Sequence, residues 1–293
     1  MSSELALLKK IPVPITLDQF KTGDIVINYA KTGSGPDAVL IHGANLGWGQ
    51  WYVTIANLAQ THTVWAVDLP GSGKSSPLDF YSLNFNKHLI EPVKSFLNEK
   101  KIRHGLVIGH SLGAWVALKL MTLDHSLFDK AVLVSPVGFS KNTPLRYKLI
   151  GLRWLANLLA KTAVKPTRKN IENFLKTPLR QKNVLISEFI DYYFESISKN
   201  KHGHPFNLLN RMSGFRKVSP ELVFGEEISH IKQPIMIIGG EFDPVVPLNS
   251  KQLKAISRLP NVKIKILKDT GHVPPLEKSM EFHKILSNFI KTK

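Results

Sequence analysis

Cysteine is absent from the 293 residues of this sequence. That absence excludes disulfides, a cysteine nucleophile and thiolate metal ligands, and with them the thiol-dependent classes of enzyme. Apolar runs long enough to cross a bilayer are also missing. The first ten residues lack the basic segment and the long apolar stretch of a secretory signal. We therefore expect a cytoplasmic protein.

Acidic residues are scarce, with 22 Asp and Glu against 39 Lys and Arg, for a net charge of +17. A positive balance suits anionic partners such as nucleic acid or an anionic membrane, although a lysine-rich solvated surface has the same composition. No recognisable nucleic-acid-binding module accompanies the charge, so we expect no nucleic-acid partner.

Short strand-like segments recur along the chain. Residues 24–30 alternate in polarity, and short apolar runs typical of strands buried on both faces lie at 38–41, 64–67, 105–108 and 131–134. Two further strand segments follow late in the chain, at 235–238 and 262–266. Helical patterns lie between several of them, at 84–98, 112–123, 250–258 and 276–290. Strands that alternate with helices predict an α/β fold with a mostly parallel sheet flanked by helices.

The alternation stops between residues 139 and 218, where helical patterns follow one another without a strand. This segment holds 16 Lys and Arg against 4 Asp and Glu, so most of the net charge lies in it. The simplest interpretation is a basic, all-helical cap at 139–218 inserted into an α/β core formed by 1–138 and 219–293.

A G-x-S-x-G motif spans residues 109–113, directly after the predicted strand at 105–108 and at the start of the predicted helix at 112–123. In this context the serine occupies a sharp, strained turn, and small flanking residues let strand and helix approach closely. The pattern predicts Ser111 as a nucleophile, with the N–H of Leu112 facing a developing oxyanion.

With this motif in place, the sequence resembles the α/β-hydrolase family, in the serine hydrolase branch of esterases and lipases with a helical cap. Further segments resemble the family's loops and occur in family order. They are Leu40-Ile41-His42-Gly43-Ala44, the turn at 68–75, the loop at 239–247 and Gly271-His272-Val273-Pro274. The resemblance covers nearly the whole chain outside the predicted cap.

The resemblance implies a catalytic triad of Ser111, Asp243 and His272, in the chain order expected for this fold. His272 would take the proton of Ser111, and Asp243 would orient His272. Motif position favours Asp243 over the nearby Glu241. The resemblance also implies an oxyanion hole formed by the N–H groups of Ala44 and Leu112.

The expected function is hydrolysis of a carboxylic ester, including a lipid or other hydrophobic acyl ester, through an acyl-enzyme and without a cofactor or metal. Two alternatives stay open, because a fold does not decide a substrate. One is a C–C bond hydrolase of the meta-cleavage type. The other is a non-catalytic protein that binds a small molecule. A serine at position 111 argues against dehalogenases and epoxide hydrolases, which use a carboxylate nucleophile.

His42, Gly43, Trp48 and Trp115 lie near the predicted oxyanion loop and elbow, and we consider them as substrate-binding residues. For His42 the alternative is a structural role in the loop, and for the tryptophans it is the core. His202 and His204 flank a glycine with no carboxylate nearby, which predicts a solvated loop and no metal site.

The residues Gly71-Ser72-Gly73-Lys74-Ser75 resemble the end of a phosphate-binding loop. Asp68 stands where that motif needs its first glycine, so we expect no nucleotide site.

Residues 145–161 are apolar, interrupted and flanked by basic residues, with aromatics at Tyr147 and Trp154. Such a segment can lie in the interface of an anionic membrane. The alternative is a cap helix buried over the active site with its basic residues in water. The oligomeric state is not encoded in any pattern of this sequence.

Overall fold

The computed structural model describes residues 2–143, 148–149, 151–161, 167–199 and 205–292. At its centre lies an eight-stranded sheet in the order β1-β2-β4-β3-β5-β6-β7-β8. The first strands pair antiparallel from β1 through β2 to β4, and all remaining pairs are parallel. The strands are β1 Thr16–Thr22, β2 Ile25–Thr32, β3 Asp37–Ile41, β4 Thr63–Val67, β5 Gly105–His110, β6 Phe128–Val134, β7 Ile235–Gly240 and β8 Val262–Leu267. The predicted fold class is confirmed.

Helices in the described residues cover the sheet and fill the segment between β6 and β7. They are α1 Ser3–Leu8, α2 Tyr52–Leu58, α3 Glu91–Glu99, α4 Leu112–Leu123, α5 Arg153–Lys161, α6 Arg168–Lys176, α7 Ser187–Lys199, α8 Pro205–Met212, α9 Ser250–Ile256, α10 Pro274–Glu277 and α11 Ser279–Lys291. The helix predicted at 84–98 begins with a wider turn at Asn86–Ile90 and continues as α3. The helix predicted at 276–290 is interrupted at Lys278, whose φ of −138° is not helical.

The central strands are buried on both faces. Along β3, the side chains of Val39 and Ile41 join the apolar core on one face of the sheet, and Leu40 joins the core on the other. This division follows from the two-residue repeat of a strand. It explains why these strands are continuous apolar runs in the sequence.

Between β6 and β7, the described residues form helices α5 to α8, and the only strand-like pairs there are single bridges such as Asn142 with Lys217. The boundaries of a separate cap at 139–218 stay a prediction. Parts of the segment lie outside the described residues, including 144–147 with Tyr147, and the His202-Gly203-His204 stretch. No helix of the described residues is long and apolar enough to cross a membrane.

Candidate active site

Ser111 occupies the single-residue turn between β5 and α4, with a φ of 51°. A Cβ at Gly113 would overlap the backbone oxygens of Ile41 and His42, and one at Gly109 would overlap the backbone of Gly113. Only glycine at both positions lets β5, α4 and the end of β3 approach this closely. The strained turn therefore sets the serine at the carboxyl edge of the sheet.

His272 lies in the loop after β8, and Asp243 lies in the loop after β7. The Nδ1 atom of His272 is 2.8 Å from the Oδ2 atom of Asp243, and both side chains are buried. The other oxygen of Asp243 accepts the N–H groups of Val245 and Val246, each at 2.8 Å. Glu241 instead is exposed and accepts the N–H of Asp269. The structure thus places Asp243, and not Glu241, against the histidine.

Burial by itself raises the pKa of Asp243. The charge and hydrogen bond of His272 and the two backbone N–H groups outweigh that effect, so the pKa of Asp243 is lowered. An ionised carboxylate only accepts hydrogen bonds, so Nδ1 of His272 carries the proton it donates to Asp243. The Nε2 atom is then left for a reacting group.

A cavity of about 350 Å³ opens at the carboxyl edge of the sheet, and both Ser111 and His272 line it. Ligands of open α/β sheets bind at this edge because the loops after parallel strands meet there. The carboxyl ends of β3, β5, β6, β7 and β8 and the segments that follow them contribute to the wall. The residues are Ala44, Asn45, Leu46, His110, Ser111, Pro136, Val137, Gly138, Phe139, Val245, Val246, Gln252, His272, Val273 and Leu276. The segment between β6 and β7 contributes many of the remaining residues.

The wall of the cavity is predominantly apolar. The segment between β6 and β7 supplies Phe174, Phe189, Phe206, Leu209 and Met212. Among the described residues that line the cavity there is no Lys, Arg, Asp or Glu, and His110 and His272 are the ionisable side chains. An apolar wall of this kind suits an apolar group of a ligand.

The four residues considered as substrate-binding, His42, Gly43, Trp48 and Trp115, are absent from the described wall of the cavity. His42 is fully buried, and its Nε2 atom accepts the N–H of Leu69 at 2.9 Å. The N–H of Gly43 donates to the side chain of Gln50 at 2.9 Å. Both residues shape the loop after β3 and lie outside the described wall of the cavity.

The tryptophans belong to the core, which was the alternative interpretation. The indole N–H of Trp48 donates to Glu4 at 2.9 Å, on the side of the first helix. Trp115 packs against Phe85 and Phe224. Proximity in sequence to the elbow was misleading here, because both indoles are buried among core side chains and neither lines the described wall of the cavity.

His110 lines the cavity and supports His272, a role that sequence reasoning missed. Its Nε2 atom lies 2.9 Å from the backbone oxygen of His272, and the two rings are 4.7 Å apart. Burial, helped by the nearby charge of His272, lowers the pKa of His110 to about 3. His110 is therefore neutral and donates from Nε2 to that oxygen. Its place beside the nucleophile in the motif was the available signal.

The turn that resembles a phosphate-binding loop folds around its own carboxylate. Asp68 is fully buried, accepts the N–H of Lys74 at 3.0 Å and lies where a Cβ on Gly73 would overlap it. Among the loop amides, that of Lys74 donates to Asp68, that of Gly73 donates to the hydroxyl of Ser196 and that of Ser72 donates to the backbone oxygen of Leu69. Within the described ranges, no three His, Asp or Glu side chains are grouped as a metal site requires.

Comparison with known proteins places these observations in context. A family model for the α/β-hydrolase fold matches residues 39–279. A dihydrolipoyllysine-residue acetyltransferase component of an acetoin cleaving system, from Cupriavidus necator, is 26% identical over 91% of this chain and 67% of its own length. The 2-hydroxy-6-oxo-6-phenylhexa-2,4-dienoate hydrolase of Comamonas testosteroni is 24% identical over 92% of each chain. A carboxylesterase structure from Bacillus subtilis superposes with a TM-score of 0.79 at 18% identity, covering 99% of this chain and 96% of that one.

Proposed function

The chain belongs to the α/β-hydrolase fold family, and we propose that it is a serine hydrolase that cleaves an uncharged, apolar carboxylic ester. The proposal is supported by the convergence of Ser111 and His272 on one apolar cavity, with Asp243 hydrogen-bonded behind the histidine. A neutral serine hydroxyl is a weak nucleophile and needs such a neighbouring base.

In the proposed reaction, Oγ of Ser111 attacks the ester carbonyl carbon while Nε2 of His272 accepts the hydroxyl proton. The N–H groups of Ala44 and Leu112 stabilise the tetrahedral oxyanion. His272 returns the proton to the departing alcohol, which leaves an acyl group on Ser111. Water then attacks the acyl-enzyme while His272 accepts its proton, and His272 returns that proton to Oγ of Ser111 as the acid is released. Asp243 holds the imidazole in the required tautomer and stabilises its protonated form throughout.

The proposed substrate class is supported by the predominantly apolar wall that the described residues form around the cavity. The Comamonas relative is named for a dienoate, which carries a carboxylate. Burying an unpaired carboxylate costs several kcal/mol, so a cavity that receives one needs a cation or many donors. The described wall contains no Lys or Arg. A neutral ester with an apolar acyl group meets no such penalty.

A fluorophosphonate probe tests the chemistry, beside Ser111→Ala and His272→Ala variants. We expect the probe to label the unmodified protein and neither variant, because labelling needs both the nucleophile and its base. A panel of p-nitrophenyl esters of increasing acyl length should show turnover with an optimum set by the cavity. A folded protein that stays unlabelled would contradict the hydrolase proposal and favour a non-catalytic binding protein.

A second assay separates ester from C–C hydrolysis. The phenyl-substituted hydroxy-oxo-dienoate named for the Comamonas relative serves as the test compound. We expect its turnover to be far slower than that of the best neutral ester, since its carboxylate finds no cation in the described wall. Faster turnover of the dienoate, with normal probe labelling, would keep the nucleophile and transfer the assignment to C–C hydrolysis.

A further inference from the structure

Glu277, at the end of α10, carries a buried carboxylate. It accepts backbone N–H groups from two segments that lie far apart from each other in the chain. Its Oε2 atom accepts from Gly271 at 2.9 Å, Arg180 at 2.7 Å and Gln181 at 3.0 Å, and its Oε1 atom accepts from Val273 at 3.0 Å. Four charge-assisted bonds on one carboxylate are strong and directional. Glu277 therefore fixes these segments relative to each other.

One of the two segments carries His272. The donors Gly271 and Val273 stand on either side of the histidine, so the carboxylate holds its backbone from both directions. The N–H of His272 itself donates to the backbone oxygen of Pro178 at 3.0 Å. A Cβ on Gly271 would lie 2.5 Å from that same oxygen, so the close approach of the two segments depends on glycine.

The other segment belongs to the wall of the cavity. Thr177, Pro178 and Leu179 line it, and the donors to Glu277 come directly after them. A second set of bonds joins the same segments at the surface, where the side chains of Arg180 and Gln181 both donate to Asp269. The wall that would contact a substrate and the loop that carries the histidine are thus one hydrogen-bonded unit.

We propose that Glu277 is a positioning residue for the hydrolytic reaction, which sets the place of His272 relative to Ser111 and to the cavity wall. The inference rests on the proposed function. Glu277 is not in the described wall of the cavity and acts through the backbone around His272. Because reaction rates fall steeply when a base is displaced by a fraction of an ångström, loosening this unit should slow chemistry more than it weakens binding.

The test is the Glu277→Gln variant, which preserves shape but turns one acceptor into a donor that faces backbone N–H groups. Glu4→Gln is the matched control: Glu4 is equally buried, accepts the indole N–H of Trp48, and lies outside the described cavity wall. We expect kcat for the best ester and the rate of fluorophosphonate labelling to fall by roughly tenfold or more in Glu277→Gln, with KM within about twofold. Glu4→Gln should lower Tm and leave both rates unchanged.

A second readout does not depend on turnover. The imidazole nitrogen and Nδ1 proton NMR signals of His272 report its bond to Asp243, and we expect Glu277→Gln to shift them and Glu4→Gln to leave them in place. Glu277→Asp, which keeps the charge but shortens the reach, should shift them less. Unchanged rates and unchanged signals in folded Glu277→Gln would overturn the inference. Shifted signals in a protein that is never labelled would uphold the positioning role while the hydrolase proposal fails.

Discussion

Two histidines next to the site, His42 and His110, are buried in the neutral form. Burial lowers the pKa of His42 to about 4 and that of His110 to about 3. A histidine in an unfolded chain has a pKa near 6.5, so the unfolded chain takes up protons first as the pH falls. Asp68 acts in the opposite sense, because burial raises its pKa to about 6 and the folded state is then the first to bind that proton.

We therefore expect the free energy of unfolding to decrease as the pH falls from about 6.5 toward 4. Each histidine contributes a slope of at most about 1.4 kcal/mol per pH unit, and below about pH 6 Asp68 offsets one of the two. Urea unfolding at pH 7, 6.5, 6 and 5 measures the slope. His42→Gln should lower this slope by the contribution of one histidine, which is at most about 1.4 kcal/mol per pH unit. Stability that is constant or rises over this interval would contradict the burial of neutral histidines.

At the nucleophile turn, Gly113 is the position where a single methyl group has the clearest cost. Its Cβ would overlap two backbone oxygens, of Ile41 and His42, which cannot move aside as a flexible side chain can. We expect Gly113→Ala to lower the free energy of unfolding by about 1–3 kcal/mol, the range for overpacking a close-packed core. Gly214→Ala, whose nearest contact is at 3.4 Å, is the control and should be nearly neutral. Equal midpoints of urea unfolding would refute this expectation.

Residue types at the site were largely predictable from local motifs. Ser111 and His272 stand in short segments with characteristic neighbours, and the structure places both on one cavity. Glu277 was missed because its meaning depends on donors nearly a hundred residues earlier in the chain. The catalytic roles of Ser111 and His272 stay proposals, which the labelling experiment tests.

Among the elements, the first helix connects the core to the segment between β6 and β7. α1 packs against α7, and the N–H of Ser3 donates to Glu195 at 3.1 Å. On its other side, Glu4 accepts the indole N–H of Trp48 and forms an ion pair with Lys74. These contacts join the segment between β6 and β7 to the core through α1.

Glu4→Ala should leave the indole N–H of Trp48 buried without an acceptor and Lys74 without its partner. We expect a loss of about 1–3 kcal/mol in the free energy of unfolding. Lys10→Ala removes a more exposed ion pair, formed with Glu188 just after this helix, and should cost under about 1 kcal/mol. Comparison of the two variants by urea unfolding checks the ranking, and a larger loss for Lys10→Ala would reverse it.

Elements with a distinct apolar pattern, continuous or periodic, were predicted, whereas β1, α1 and α2 were missed. β1 lies at an edge of the sheet and is mostly exposed or half-buried, so its sequence has no apolar run. α1 and α2 are six and seven residues long, too short for a helical period to be distinct. Their stability comes from packing, which local patterns do not record.

Over the whole molecule, the exposed apolar side chains of α5 belong to the most basic segment of the sequence. Trp154 and Leu158 stand one turn apart on this helix and are 66% and 50% exposed. The surrounding segment carries most of the net charge of the protein. An aromatic and apolar helix face among cations suits the interface of an anionic membrane.

We expect the protein to float with vesicles that contain phosphatidylserine, and less so as the salt concentration rises, because salt screens the attraction of exposed charges. Trp154→Ala should weaken binding several-fold. Met280→Ala removes an 87% exposed side chain from α11 and serves as the control. Absence of binding at low salt would show that this basic surface is simply solvated.

The sequence by itself determined the parallel sheet, the turn around Ser111 and the order of the loops, because each depends on a few neighbouring residues. Only the tertiary structure decided which side chains face the cavity. It placed Trp48 and Trp115 in the core, brought Asp243 to His272, and joined Glu277 to two segments. These are contacts between residues far apart in the chain, and their geometry is set by packing of the whole fold.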